Sequence, residues 1–242
     1  MAREPSAPSA PPRLPLALFT CPRGGAQPSD ELVAWHSWAA LSHQLSVVLF
    51  LSPNSSSLYL LVREIRNRTP SLNLVALQLD ESALVSVSSE GEPERTWVPS
   101  IAGLFARAES APEAASCKFF AYVNSDIVLP PNFGTRLAAV FAAVPRRQRA
   151  LTVVSAHRYD CPMLNGSMRQ RIVTMHPTHV FEAVWAAAKC RPHKPTGKDY
   201  FVYHRGFWRR PGLPKFSIGR KMYDNYLVEV RSTDAPMRGH LA

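Results

Sequence analysis

The sequence predicts an α/β domain whose central sheet is mostly parallel and is covered by helices on both faces. Apolar runs of strand length alternate with segments of helical periodicity along most of the chain. The run from Gln44 to Ser52 is almost entirely apolar, which is typical of a strand buried on both faces. The 242 residues, 46% of them hydrophobic, are enough for one large core and a tight fit for two.

Residues 1–13 are predicted to be a disordered tail. They are rich in Pro, Ala and Ser and carry too little apolar surface to offset the entropy of ordering them. We expect one domain over residues 14–242. The run from Leu14 to Cys21 is predicted to be its first strand rather than a secretory leader. No run approaches the roughly 20 apolar residues of a membrane span, so we expect a soluble chain, cytoplasmic by default.

The predicted elements alternate in type along the chain. Ser29 or Asp30 can cap the first helix, and a serine-rich segment precedes the second. The predicted strands are residues 14–21, 44–52, 72–80, 117–129, 150–160 and 198–207. The predicted helices are residues 29–42, 55–68, 97–110, 132–144 and 180–190, with a loop at 88–95 and an amphipathic segment at 219–230. This alternation predicts a ligand crevice at the carboxyl ends of the parallel strands.

The net charge of +10 indicates affinity for an anion, which could be nucleic acid, a membrane surface or the phosphates of a small ligand. The densest basic groups, at 146–149 and 209–210, are short, so a nucleic-acid-binding protein is the less favoured alternative. The four cysteines form no C-x-x-C pair and are interpreted as buried free thiols. They are Cys21, Cys117, Cys161 and Cys190.

The polar residues at the end of the strand predicted at 117–129 are the main candidates for a site. Since side chains alternate along a strand, Tyr122, Asn124 and Asp126 should project to one side. Amide and carboxylate oxygens at a strand end suit a hard cation such as Mg²⁺ or Mn²⁺, which could neutralise a diphosphate leaving group. The alternative interpretation is a polar turn after the strand, because Asn, Ser and Asp are common turn residues.

Four segments resemble, in order, those of GT-A-type glycosyltransferase-like proteins of the nucleotide-diphospho-sugar transferase superfamily. AYVNSDIVL resembles the D-x-D segment, in a variant with Asn for the first Asp, and ALTVVSAHRYD resembles the strand that follows. GKDYFVYHRGFW resembles the G-x-D-[YF]-F segment, and LPKFSIGRKMYDNYLV the P-x-F-x-I-G-R-x-x-[WY]-D-N-[WY] segment. The resemblance covers residues 117–230. Residues 1–100 agree only in their βα pattern and in LFTCPR.

The resemblance implies a GT-A-like (Rossmann-like) domain that moves a sugar from a nucleotide-diphosphate donor to an unidentified acceptor with Mn²⁺ or Mg²⁺. Metal ligation falls to Asn124 and Asp126. On the donor side, Arg220 would bind phosphate and Tyr122 would lie beside the metal. Asp224 and Asp199 would be the catalytic residues. Arg220 and Asp224 could instead form a surface i,i+4 ion pair. Asp199 could instead be a turn residue.

Two further groups are expected near the crevice. His157 and Arg158 end the strand predicted at 150–160 and should face it, although a lone histidine is more often structural. The aromatic residues within 200–208 could stack on a sugar, while core packing is the preferred interpretation for most of them.

Related proteins continue past the D-N-[WY] segment to a further strand and a histidine that completes the metal shell, whereas this sequence ends at Ala242. We therefore expect a fragment, a shortened product or an inactive relative, and a Golgi-lumen location if it is a fragment. The alternative function is a catalytically inactive GT-A-like domain that binds nucleotide or glycan.

Overall fold

The computed structural model describes residues 14–22, 29–53, 55–87, 96–162, 164–194, 198–209, 212–218 and 227. The predicted tail, the loop at 88–95 and the segment at 219–230, apart from Leu227, lie outside these ranges. The strands are β1 Leu16–Thr20, β2 Val47–Ser52, β3 Leu74–Gln78, β4 Leu84–Val87, β5 Thr96–Pro99, β6 Phe119–Val123, β7 Val153–Val154, β8 Tyr159–Asp160, β9 Arg191–Pro192 and β10 Tyr200–His204. The helices are α1 Ser29–Ala39, α2 Ser55–Arg68, α3 Ile101–Ser110, α4 Phe133–Ala143, α5 Arg146–Arg149, α6 Gly166–Val173 and α7 Pro177–Ala187.

The central sheet has six strands in the order β3-β2-β1-β6-β10-β7. The first four are parallel to one another, and β10 runs antiparallel to both of its neighbours. In the middle of the sheet, Leu18 lies opposite Val48 on one side and Ala121 on the other. The predicted α/β class with a mostly parallel sheet is therefore confirmed.

Helices cover both faces of this sheet, which explains why its central strands are apolar throughout. Leu16 and Leu18 of β1 contribute to the core on one face, where the fully buried Trp35 and Trp38 of α1 pack. Ala17 and Phe19 of the same strand contribute to the core on the other face, under α3. Successive side chains of a strand point to opposite faces, so burial on both faces favours apolar residues at nearly every position, and in β1 only Thr20, its last residue, is polar.

Two predicted elements are wrong in part. The predicted strand at 150–160 is two short strands in different sheets, because β7 pairs with β10 at the sheet edge and β8 pairs with β9. The predicted helix at 97–110 begins only at Ile101, since the residues before it form β5, which pairs with β4. Ser100 lies between β5 and α3 and is the N-cap of the helix, because its Oγ accepts a hydrogen bond from the Gly103 N–H at 3.0 Å. The helix α6 was not predicted.

The interpretation of all four cysteines as free thiols is also wrong. Cys161 and Cys190 form a disulfide, and Cys21 and Cys117 are free. The pairing of β8 with β9 brings the bonded pair together, since Cys161 follows one strand and Cys190 precedes the other.

In the part of the chain that the structure describes, no helix combines the length and apolar character that crossing a bilayer requires.

Candidate functional site

The candidate site lies where the strand order of the sheet reverses. On one side of β1 lie β2 and then β3, and on its other side lies β6. Phe19 lies opposite Tyr122, so the carboxyl ends of β1 and β6 are side by side. Open α/β sheets bind ligands in the crevice outside such a reversal. Asn124 is the first residue beyond β6 and therefore stands at this crevice.

A hydrogen-bonded network extends from the end of β6 to the start of β10. The Tyr122 hydroxyl donates to Asn124 Oδ1 at 2.8 Å, and Asn124 Nδ2 donates to Asp199 Oδ1 at 2.6 Å. The Asn124 N–H also donates to the Asp199 carbonyl at 2.9 Å, which continues the antiparallel pairing of the two strands. Three residues predicted from the sequence to belong to the site are thus linked by direct hydrogen bonds.

Arg158 binds the other side of the Asp199 carboxylate. Its Nη1 donates to Oδ1 at 2.8 Å and to Oδ2 at 2.7 Å, and Asp199 is only 5% exposed. Burial disfavours the charged guanidinium, yet the hydrogen bonds and negative charge of Asp199 leave the pKa of Arg158 above its usual value. The expectation that Arg158 lies at this crevice agrees with these contacts.

Asp160 and His193 extend the network toward solvent and were not identified from the sequence. Asp160 Oδ1 lies 3.0 Å from Arg158 Nε, and its Oδ2 lies 2.5 Å from His193 Nδ1. The hydrogen bond with His193, more than the charge of Arg158, holds the pKa of Asp160 below its usual value. No local sequence signal marks this pair, because the contact depends on the pairing of β8 with β9 across about thirty residues.

Asp126 is partly exposed in a turn directly after β6. The Ile127 N–H donates to the Asn124 carbonyl at 3.2 Å, so the backbone adopts the polar turn that was the alternative interpretation. A turn does not exclude a ligand role, because it leaves side-chain oxygens at the strand end. Within the described ranges, no group of three or more His, Cys, Asp and Glu side chains is arranged to hold a metal ion.

The other wall of the crevice contains a buried carboxylate. Glu31 of α1 is 8% exposed and accepts a hydrogen bond from the Ser125 hydroxyl. Burial, with a contribution from the negative charge of Glu31, raises the pKa of Cys21 to about 12. The raised pKa favours the protonated Cys21 thiol at neutral pH, which lowers its reactivity as a nucleophile. Neither Glu31 nor this role of Ser125 was identified from the sequence.

The remaining predicted residues fall into two groups. Arg220 and Asp224 lie outside the described residues. The aromatic residues of β10 and the turn after it are mostly in the core, as preferred from the sequence. Phe201, Tyr203, Phe207 and Trp208 are all less than 9% exposed.

Comparison with known proteins adds little to this geometry. No family model matches the chain, and no curated protein matches it. Among solved structures, the chain is similar to the crystal structure of S. aureus TarS 1-349, a glycosyltransferase, with 13% identity and a TM-score of 0.31. That match covers 76% of this chain and 59% of TarS 1-349, so the chain spans less than two thirds of the structure it matches. The fold class given above rests on the strand order and pairing of this chain.

Proposed function

We propose that the chain transfers a sugar from a nucleotide-diphosphate donor to an acceptor, with a divalent cation at the end of β6. The observation that carries this proposal is the position of Asn124 and Asp126, which directly follow the strand at which the sheet order reverses. The four sequence segments that resemble GT-A-type proteins, taken in order, give it additional support.

In this proposal, Asp126 and Asn124 Oδ1 bind Mn²⁺ or Mg²⁺. The donor set fits, because Mg²⁺ commonly takes only one or two protein oxygens and completes its shell with phosphate and water. Asn124 Oδ1 accepts a hydrogen bond from Tyr122, and this bond does not preclude metal ligation, because an amide oxygen has two lone pairs. When bound, the cation would neutralise charge on the departing diphosphate.

The network around Asp199 orients Asn124. The Asn124 amide has its nitrogen toward Asp199 and its oxygen toward Tyr122, so its rotamer is set by two partners. Asp199 remains a candidate catalytic residue, but with both oxygens bound by Arg158 the role we give it is to position Asn124. Arg220 is proposed to bind donor phosphate and Asp224 to act toward the acceptor. The acceptor itself, and the sugar, are left open.

Thermal shift measurements with Asp126→Asn test the metal site. Removing a carboxylate from a cluster of oxygen ligands relieves repulsion without the cation, so the melting temperature of the apo protein should hold or rise slightly. The gain in melting temperature from UDP or GDP with Mn²⁺ should disappear. Asp80→Asn is the matched control, because Asp80 is a carboxylate that caps a turn in a different part of the chain. A variant at Asp126 that gains as much from nucleotide and Mn²⁺ as the wild type contradicts the assignment.

A catalytically inactive domain that binds nucleotide or glycan is the second candidate. It is favoured by the network itself, because Asn124 Oδ1, the oxygen that would bind a cation, accepts a hydrogen bond from Tyr122, and the Asp199 carboxylate binds Asn124 and Arg158. Slow hydrolysis of a nucleotide-sugar donor separates the candidates. Donor hydrolysis that is abolished by Asp126→Ala excludes the inactive domain, whereas nucleotide binding without hydrolysis favours it.

A further inference from the structure

Three aromatic side chains form a surface beside the network, here called the aromatic platform, in which Tyr159 and Trp185 are exposed and Phe181 is half-buried. The rings of Tyr159 and Trp185 meet edge to face with their centroids 5.0 Å apart. Phe181 lies on the other side of Trp185, with centroids 6.2 Å apart and the rings 11° from parallel. Tyr159 is 50% exposed and Trp185 is 45% exposed. Contiguous apolar surfaces of this kind mark binding sites more often than scattered exposed residues do.

The core does not require these rings. On α7, Val180 and Val184 face inward and are 0% and 7% exposed. Phe181 and Trp185 are four residues apart, so they share a neighbouring face of the helix and contact each other there. The buried stripe of α7 is therefore complete without its two aromatic residues.

The platform is held rigid by a covalent link. Tyr159 lies two residues before Cys161, and Trp185 lies five residues before Cys190, with which Cys161 forms its disulfide. The β8–β9 pairing adds backbone hydrogen bonds between the same two segments. A rigid surface loses little conformational entropy when a ligand binds, which favours recognition.

We propose that the aromatic platform binds a neutral saccharide and acts as an acceptor subsite. The face of a pyranose ring presents C–H groups with partial positive charge, which are attracted to the negative faces of aromatic rings. Glu182, which follows Phe181 in α7, is an exposed carboxylate and can accept hydrogen bonds from hydroxyl groups. As an acceptor subsite, this inference rests on the proposed sugar transfer.

The position of the platform fits that role. Tyr159 stands between Arg158 and Asp160 in the chain, and neighbouring Cα atoms are only about 3.8 Å apart. Because side chains alternate along β8, Tyr159 points to the face opposite Arg158 and Asp160. A saccharide chain on the platform would therefore reach the network by passing the edge of the β8–β9 ribbon.

The charges around the platform favour a neutral ligand over nucleic acid. Asp160 and Glu182 are exposed carboxylates, while Lys189 and Arg191 are exposed cations nearby in the chain. Proteins that bind single-stranded nucleic acid combine stacking rings with a continuous cationic track for the phosphates. Mixed signs around three rings do not provide such a track.

Tryptophan fluorescence offers a direct test. Of the five tryptophans, Trp35, Trp38 and Trp208 are buried, and only Trp97, at 60% exposure, and Trp185 are accessible. In a Trp97→Phe variant, acrylamide should quench Trp185 selectively. The probes are soluble oligosaccharides built from glucose, galactose, mannose or N-acetylglucosamine, without nucleotide or metal. At least one should protect Trp185 from acrylamide at millimolar concentration.

Substitutions then assign the binding to the platform. Trp185→Ala should weaken binding of that oligosaccharide about tenfold, in line with the loss of one stacking contact, as measured by isothermal titration calorimetry because this variant lacks the reporter ring. Trp185→Phe should retain most of the affinity, and Trp97→Ala, the matched exposed control, all of it. Circular dichroism of the Trp185→Ala variant checks that it folds, which is expected because Val184 and Val180 fill the core contact of α7.

Several outcomes overturn the inference. They are a Trp185 already shielded in the ligand-free chain, no binding of any probe at millimolar concentration, or equal affinity in the Trp185→Ala variant. Tight binding of an oligonucleotide, or self-association, that depends on Trp185 would assign the platform to another partner. Since the assay contains no nucleotide, saccharide binding can succeed while the Mn²⁺ and nucleotide experiment fails. In that case the assignment of the platform as a glycan-binding site is retained, and the proposed transfer reaction is rejected.

Discussion

Asp199 should be the most sensitive residue of the network to a change that preserves shape. In Asp199→Asn, one carboxylate oxygen becomes an NH₂ group that faces donors, namely Arg158 Nη1 or Asn124 Nδ2. Arg158 then loses its buried counter-charge, and one donor loses its acceptor. We expect the folded state to be strongly destabilised although the side chain has almost the same volume.

The magnitude follows from the burial of the two partners. Removing one partner of a fully buried ion pair costs about 3–5 kcal/mol. The Asp199 side chain is 7% exposed but that of Arg158 is 34% exposed, so water can solvate the guanidinium after the change. Solvent screening therefore reduces the expected cost to about 2–3 kcal/mol. For a domain of this size, that corresponds to a fall in melting temperature of roughly 5–10 °C.

Urea and thermal unfolding of a double-mutant cycle measure this directly. Arg158→Met should be destabilising alone, and combined with Asp199→Asn it should cost clearly less than the sum, because neither charge is then left unpaired. Asp160→Asn is the control, because Asp160 also forms an ion pair with Arg158. The Asp160 side chain is 56% exposed, so its loss should cost below about 1 kcal/mol. Additive effects, or a loss at Asp199 no larger than at Asp160, would refute the buried network.

Three further predictions concern packing, thiols and pH. Gly103→Ala should lower the free energy of unfolding by about 2 kcal/mol despite the better helix propensity of alanine, because the new Cβ would lie 2.3 Å from the Ala83 Cα. Gly166→Ala should leave it unchanged in the same unfolding assay, because a Cβ there meets nothing within 4 Å. Burial raises the pKa of both free thiols, so Ellman's reagent should react slowly with the native chain. It should detect two thiols in denaturant and four once the disulfide is reduced. Detection of four thiols in denaturant without a reductant would argue against the disulfide. The pKa of Asp160 is lowered in the folded state, so the stability it contributes is present above about pH 4 and is lost as pH falls through the folded value. Unfolding free energy should therefore fall less steeply below that pH in Asp160→Asn than in the wild type.

The parallel strands of the sheet could be predicted because each of them is a short apolar run that is visible in the local sequence. β1, β2 and β6 are buried and almost entirely apolar, and β3 is apolar up to its last residue, Gln78, so each is a recognisable run in the sequence. Ser55–Arg68 was predicted with the bounds that α2 has in the structure, because its apolar periodicity follows a serine-rich start.

The segment at 150–160 could not be predicted in the same way. Its β-branched residues are typical of a strand, but β7 lies at the sheet edge and has a partner on one side alone. The chain leaves the sheet after Val154 and pairs again at Tyr159 with a distant segment. Strand propensity does not contain that information, since it reflects side-chain packing rather than the choice of partner.

The site was predictable at its centre and not at its periphery. Asn124 directly follows β6 and Asp199 directly precedes β10, and both strands are recognisable as apolar runs in the sequence. The position of the two residues at strand ends follows from those runs. Glu31, Asp160 and His193 contact the site through tertiary pairing alone. The Cys161–Cys190 bond belongs to the same class, because two cysteines 29 residues apart with no motif between them give no sign of their pairing.

The central position of β1 has a consequence for how the chain folds during synthesis. Leu18 can pair with Val48 soon after β2 leaves the ribosome, but its other partner, Ala121, is made much later. Until then, β1 presents an open, apolar edge, and such edges readily pair with strands of other chains. The nascent chain should therefore be most prone to aggregate between synthesis of β3 and synthesis of β6, and slow translation of residues 79–118 should lower the yield of folded protein.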